Sequence, residues 1–313
     1  MLDAKHESSY IMGMNKLPTP KRVQILSMLC EGSSMRSISR VCDVSINTVA
    51  KTLVDAGKVC MAFHDEKVRG VTAKRVQVDE IWSFTAAKQK NVAAMKKPVD
   101  GAGDTWTWTA IDADTKLIAA WFVGGRDAEC ANAFINDLAS RLANRVQLTS
   151  DGHAPYLQAV EGAFGADVDY AQLVKIYGGS AEGEKRYSPA DFVTCRQVGV
   201  TGKPDPKHIS TSYIERSNLT MRMHNRRFTR LTNAFSKKFE SHVQMVALYT
   251  VFYNWTRIHK TLRVTPAMAA GLTDRVWDMA DIIAMMDEAA PKPGRPRTYK
   301  KAGKSVSSSE NKY

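Results

Sequence analysis

The sequence predicts an α/β protein: a small N-terminal helix-turn-helix domain, then a mixed sheet with helices on its faces, then C-terminal helices. Three observations carry this expectation. Apolar residues recur at helical spacing between Thr19 and Ala56, with Ser and Gly at the breaks. From Arg75 the stretch RVQVDEIWSF places β-branched and aromatic residues on alternate positions, as a half-buried strand does. Beyond it the patterning runs strand, strand, strand, helix, strand, helix, strand, helix, an order that layers helices on a sheet.

Taken in order, Val23, Leu26 and Leu29 mark a first helix that stops near Gly32. Ser33 or Ser34 caps a second helix bearing Ile38 and Val41. Ser45 caps a third with the stripe Val49, Leu53 and Val54, and Gly57 is expected to end it. This is helix-turn-helix spacing, in which Asn47, Thr48 and Lys51 face a major groove and Arg36 and Arg40 lie near phosphates. Strands are expected at 75–84, 105–111, 117–123, 146–149 and near 168–176, the second and third joined as a hairpin through 112–116. Helices are expected at about 128–142, 155–164, 211–225, 238–259, 266–271 and 274–287. Trp82, Trp106, Trp108 and Trp121 alternate within strands and are expected in the core. The resulting organisation is a domain over 1–57, a linker over 58–75, a sheet domain over 76–235 with an insertion at about 178–207, helices over 236–290, and a basic tail over 291–313 whose composition predicts disorder.

Composition narrows the function. With 313 residues, 44% hydrophobic and 24% charged, the chain can bury a sizeable core and is not mainly disordered. It holds no long uninterrupted apolar run for a membrane span. The leader MLDAKHESSY lacks a signal peptide's apolar stretch, which predicts an intracellular, cytoplasmic protein. Five scattered cysteines argue against a disulfide framework. Cys42, Cys60 and His64 lack a CxxC pair and are expected to be buried groups, not zinc ligands. The formal charge is +12, and it is concentrated. Residues 207–238 hold eight Lys/Arg against Glu215 alone, and residues 288–313 hold seven against Glu288 and Glu310; the two nets, +7 and +5, equal the whole excess. Such clustering suggests a polyanionic partner.

Three acids sit at meaningful places. Asp79 lies inside the first strand, Asp151 directly follows the fourth, and Glu215 stands alone in the most basic helix. If the first and fourth strands are neighbours, a helix packed on that edge can bring Glu215 to the two aspartates. Carboxylates crowded this way repel unless divalent cations neutralise them, and Mg²⁺ or Mn²⁺ accepts such oxygen ligands. Two ions about 4 Å apart would suit phosphodiester chemistry. Glu80 alternates to the other face and is expected only to support the site from behind. His153 either positions an attacking water or hydrogen-bonds in the core.

VDEIWSF around Asp79, TSDGHAPY around Asp151 and YIERSNLTMRMHNRRFTRLTNAFSKKFESH around Glu215, with the closing RIHKTLRVTPAMAAGL, together carry a resemblance. Over about residues 75–272 the chain resembles bacterial insertion-sequence transposases with an RNase H-like catalytic domain and a DDE triad, most nearly the family of insertion sequence one. The Asp151–Glu215 separation of 64 is long for that family, and residues 178–207 supply the excess. The resemblance implies a DNA transposase in which Asp79, Asp151 and Glu215 hold the metal ions. Water cleaves an element end to a 3′-OH, and that hydroxyl attacks target DNA with no covalent protein–DNA intermediate. It further implies terminal inverted repeats and target DNA as partners, a dimer or larger assembly on DNA, and association with the bacterial nucleoid. A nuclease of the same fold that only hydrolyses, or a helix-turn-helix regulator, are the alternatives.

Around Glu215, Arg216, Asn218, Arg222, Arg226, Arg227 and Arg230 recur at three- and four-residue steps and are expected to grip phosphates. In the tail, Lys292-Pro293-Gly294-Arg295-Pro296-Arg297 resembles an AT-hook; Arg295 and Arg297 either read a narrow minor groove or bind DNA by charge alone.

Overall fold

The computed structural model describes residues 16–178, 192–229 and 233–290. The N-terminal leader, Arg230, and the tail with Arg295 and Arg297 lie outside the described residues.

Helix α1 (Thr19–Cys30) opens with proline in its first turn, and α2 (Met35–Val41) is capped by Ser34, whose Oγ accepts from the Ser37 amide. Helix α3 (Ile46–Lys67) is capped in the same way by Ser45 on the Thr48 amide. The expected stop at Gly57 is wrong, because α3 runs ten residues further and takes up half of the supposed linker. Gly57 answers a packing demand instead. A Cβ there would fall 2.5 Å from both the Cβ and the carbonyl oxygen of Gln244 on helix α8 (Phe239–Val251), so only glycine lets the two helices cross.

The sheet has six strands in the order β3-β2-β1-β4-β5-β6. They are β1 (Arg75–Thr85), β2 (Gly103–Asp112), β3 (Ile118–Gly124), β4 (Gln147–Asp151), β5 (Asp169–Tyr177) and β6 (Phe192–Thr201). β1 pairs parallel with β4 and β4 with β5, and the other neighbours are antiparallel. The insertion expected over 178–207 is therefore partly sheet. Its second half supplies β6, whose residues are almost all exposed; an edge strand buried on neither face shows no apolar alternation to read. A short helix α4 (Gln89–Val92) interrupts the basic loop before β2.

Helices α5 (Ala128–Arg141) and α6 (Pro155–Phe164) cover one face. There Phe134 and Tyr156 close over the fully buried Trp108. Asp127 starts α5 by accepting from the Cys130 amide. Helix α7 (Ser212–His224) covers the other face, docked by Gln77 of β1, whose Oε1 accepts from the Tyr213 and Ile214 amides at 2.9 and 3.0 Å. α8 lies beside it, with His242 fully buried against Ser83, Thr107 and Ser236; burial and the nearby Arg227 push its imidazole down to about 3, so it packs neutral. The expected long helix over 238–259 ends sooner, widening into a π turn over Phe252–Thr256 where Asn254 clasps both the amide and the carbonyl of Ile118. α9 (Pro266–Ala269) follows. α10 (Met279–Glu288) begins five residues later than expected, at a capping box formed by Asp278 and Asp281.

The N-terminal helices are not a detached module. α1 and α3 pack against α10 and α8, Arg22 grips Asp287 at 2.5 Å, and one hydrophobic cluster runs from Ile25 through the sheet to Ile283. Cys42, Cys60 and His64 are buried; His64 meets the Ile118 carbonyl oxygen, and burial lowers its imidazole to about 3. No helix among the described residues is long and apolar enough to cross a membrane.

Candidate active site at the split between β1 and β4

The β1–β4 ladder pairs Arg75 with Gln147 through Gln77 with Thr149, and beyond those residues the two strands part. Asp79 and Asp151 lie just past the last pair, Asp79 midway along β1 and Asp151 at the carboxyl end of β4, where the two strands diverge. That is the usual place for a crevice in an open α/β sheet. The split opens into a cleft of about 430 Å³ whose walls include Asp79, Asp151 and Glu215, so strand, strand end and helix contribute one carboxylate each.

Asp79 faces α7. Asn218 Nδ2 donates to its Oδ2 at 2.7 Å, and Asn218 Oδ1 accepts from Thr109 Oγ1 at 3.3 Å. Asn218 is 5% exposed. It is thus a strut between the helix of Glu215 and the strand of Asp79, its amide turned inward where a phosphate contact was expected. Burial chiefly, then the charges of Glu80, Asp151 and Glu215, push the Asp79 carboxyl up to about 7. Asp151 accepts the His153 amide at 2.9 Å, which turns its carboxylate into the crevice.

Glu80 differs from its expected place. Strand alternation sends it to the α6 face, yet one carboxylate oxygen each from Asp79, Glu80 and Asp151 lies within 4.8 Å of the others. The parting of β1 from β4 leaves a gap reachable from both faces. Arg126 holds Glu80 Oε1 at 2.7 Å and Tyr156 OH donates to Oε2 at 3.0 Å, so the fixed buried carboxylate of the group is Glu80. Glu215 stands on the cleft rim, 43% exposed, with Lys175 Nζ 2.5 Å from its Oε1 and the Thr211 hydroxyl donating to the same oxygen.

His153 lines the cleft with its ring between Trp108 and Tyr156, and burial lowers its basicity. Its Nε2 has no hydrogen-bond partner among the described residues. Of the remaining expected contacts, Arg36, Arg40, Asn47, Lys51, Arg216 and Arg226 are exposed, Thr48 and Arg222 half-buried. Lys51 is held 2.6 Å from Asp55. Arg227, expected at phosphates, instead turns its guanidinium inward to donate to Ser236 Oγ at 2.6 Å, and desolvation lowers it to about 10.

Arg126 and Lys175 were not legible as cleft residues. Lys175 follows Leu173, the register partner of Asp151, by two positions on β5; it is recognisable only once β5 is known to flank β4. Arg126 follows the Gly124-Gly125 end of β3, and nothing local distinguishes it from a surface arginine.

No family profile matches the sequence, and no curated protein matches it. Among solved structures, a piggyBac transposase synaptic complex with hairpin DNA is similar at 8% identity and TM-score 0.28, covering 72% of this chain and 56% of that one, so the chain spans little more than half of that protein. The Mos1 strand transfer complex is similar at 11% identity and TM-score 0.22, over 75% of this chain and 78% of the other. Both likenesses are slight.

Proposed function

We propose that the chain is a metal-dependent DNA transposase with an RNase H-like catalytic domain, in which Asp79, Asp151 and Glu215 form the catalytic carboxylate set and Glu80 stands beside them. The observation that carries this reading is the cleft itself: carboxylates 136 positions apart in sequence line one crevice where β1 and β4 part. A ligand-binding regulator has no need of acids at those places.

The donor set fits a hard divalent cation, Mg²⁺ or Mn²⁺. It is all oxygen, one carboxylate oxygen each from Asp79, Glu80 and Asp151 lies within 4.8 Å of the others, and burial together with the neighbouring charges leaves Asp79 hard to ionise until positive charge arrives. Asp79, Asp151 and Glu215, with Glu80 in reach, would hold one or two such ions, which supply charge neutralisation to phosphate oxygens and acidify an attacking hydroxyl or water. The chain's own groups do the rest. Asn218 orients Asp79, and Arg126 and Tyr156 fix Glu80. Lys175 and the exposed Arg216 offer positive charge to flanking phosphates. Water attack frees a 3′-OH, and the same site then presents that hydroxyl to target DNA.

In this reading α2 and α3 serve as a helix-turn-helix that recognises element ends, presenting Arg36, Arg40, Asn47, Thr48 and Lys51. At least two copies assemble on DNA, because two ends must be joined, in the bacterial nucleoid. Incubation with duplexes carrying the terminal inverted repeats and Mg²⁺ tests the reading. Cleaved and joined products support it; cleavage alone favours a nuclease, and binding alone a regulator.

A further inference from the structure

Beside the cleft, on the α6 face of β1, lies an aromatic surface that the carboxylate chemistry does not use. Trp82 and Phe84 follow Glu80 at two-residue steps and so share its face. Both are half-buried, contrary to the core placement expected for Trp82. Their partners are each other, with centroids 5.8 Å apart, and Phe235, 4.8 Å from Phe84. This trio is not among the residues of the main core. Lys88 Nζ stands 5.7 and 6.0 Å from the Trp82 and Phe84 ring centres. Trp106, also only half-buried, is Trp82's register partner on β2, and the Arg126 guanidinium lies 4.7 Å over its ring while gripping Glu80. The surface is therefore continuous with the cleft wall through Arg126.

We propose that Trp106, Trp82 and Phe84 form a stacking shelf for unpaired DNA bases next to the bond being processed. Charge points to a nucleic acid strand: between Glu80 and Asp100 the chain holds four lysines and no acid, and the loop carrying them borders the shelf. Ring faces point to splayed bases, since bases in a duplex already stack on their neighbours, whereas free ones gain from an aromatic surface under them. Position fits as well. At a strand rise of about 3.3 Å, Trp82 and Phe84 lie roughly 7 and 13 Å beyond Glu80, the reach of the first few nucleotides past the cleft. The proposal rests on the reading of the cleft as a phosphodiester site, but binding to the shelf requires no chemistry.

The test uses the full chain in EDTA, with a fluorescent twelve-residue oligothymidylate and a duplex of equal length at matched salt. Trp82→Leu and Phe84→Leu keep apolar bulk and remove the π face. Each should weaken oligothymidylate binding about tenfold, the scale of one base–aromatic stack, and change duplex binding less than twofold. Trp82→Phe should restore most of the loss. If the leucine variants melt early, wild-type protein and a strand with 2-aminopurine in an unpaired overhang decide the matter: stacking quenches the fluorophore on binding. Unchanged single-strand affinity in folded variants, equal losses for both DNAs, an unquenched fluorophore, or a change confined to self-association would each overturn the shelf. Cleavage by Asp151→Asn, scored separately, reports on the cleft and not on the shelf.

Discussion

Asp79→Asn should stabilise the metal-free protein, and by an amount that depends on pH. The native carboxyl is pushed up to about 7 from 3.8. The folded state therefore holds a proton that the unfolded chain releases above pH 4. The stability linked to that proton is fully present below about pH 4, falls as pH rises, and is gone above about pH 7. The full displacement is about 3 pKa units, or roughly 4 kcal/mol at 1.36 kcal/mol per unit, felt at pH 8; at pH 5 only about one unit has been traversed, roughly 1 to 2 kcal/mol. Asparagine carries no such charge, and its Oδ1 still accepts from Asn218 Nδ2. Urea unfolding in EDTA should find the variant more stable at pH 8, with the advantage shrinking by about 2 to 3 kcal/mol at pH 5. Mg²⁺ at pH 8 should narrow the gap by stabilising wild type alone. Equal effects at both pH values, or destabilisation at pH 8, would refute the argument that crowding and burial strain this carboxylate.

Other outcomes follow from single contacts. Gly57→Val should destabilise by at least about 2 kcal/mol, because the new side chain meets the Gln244 backbone as well as its side chain; a melting curve like wild type would contradict the close crossing. Asn218→Ala should lower the DNA cleavage rate about tenfold or more through loss of a charge-assisted hydrogen bond, with DNA affinity in EDTA nearly unchanged, and a drop in affinity instead would return Asn218 to the DNA surface. Arg36→Ala with Arg40→Ala should weaken binding to end DNA and reduce the salt slope by about two, as expected for two lost phosphate contacts; an unaltered slope would separate α2 from DNA.

Much of the sheet was legible because β1 to β5 each carry a run of buried residues rich in apolar and β-branched side chains, and Ser34 and Ser45 cap their helices as expected. What escaped reading depends on neighbours remote in sequence. Gly57 looked like a helix terminator because its other purpose, admitting α8, lies at Gln244. β6 was hidden because an exposed edge strand needs no apolar pattern. In the site, Asp79 and Asp151 could be named from strand order, and Glu215 as the lone acid of the most basic helix. Alternation hid the nearness of Glu80 to the aspartates, since the gap between β1 and β4 is open from both faces. Asn218 and Arg227 sit amid exposed basic residues on and just past α7, and only the packing of that helix on Thr109 and Ser236 turns them inward.

Asp151 is central to the proposed metal site. Asparagine there keeps the size and can still accept the His153 amide, but it removes a charge from the proposed metal site. Single-turnover cleavage of end DNA in Mg²⁺, measured beside affinity for the same DNA in EDTA, isolates its role. On the metal-site reading, Asp151→Asn cuts at least a thousandfold more slowly, a loss of about 4 kcal/mol of transition-state stabilisation, while binding as tightly as wild type or tighter. Cleavage at a near-normal rate by a folded Asp151→Asn protein would contradict it.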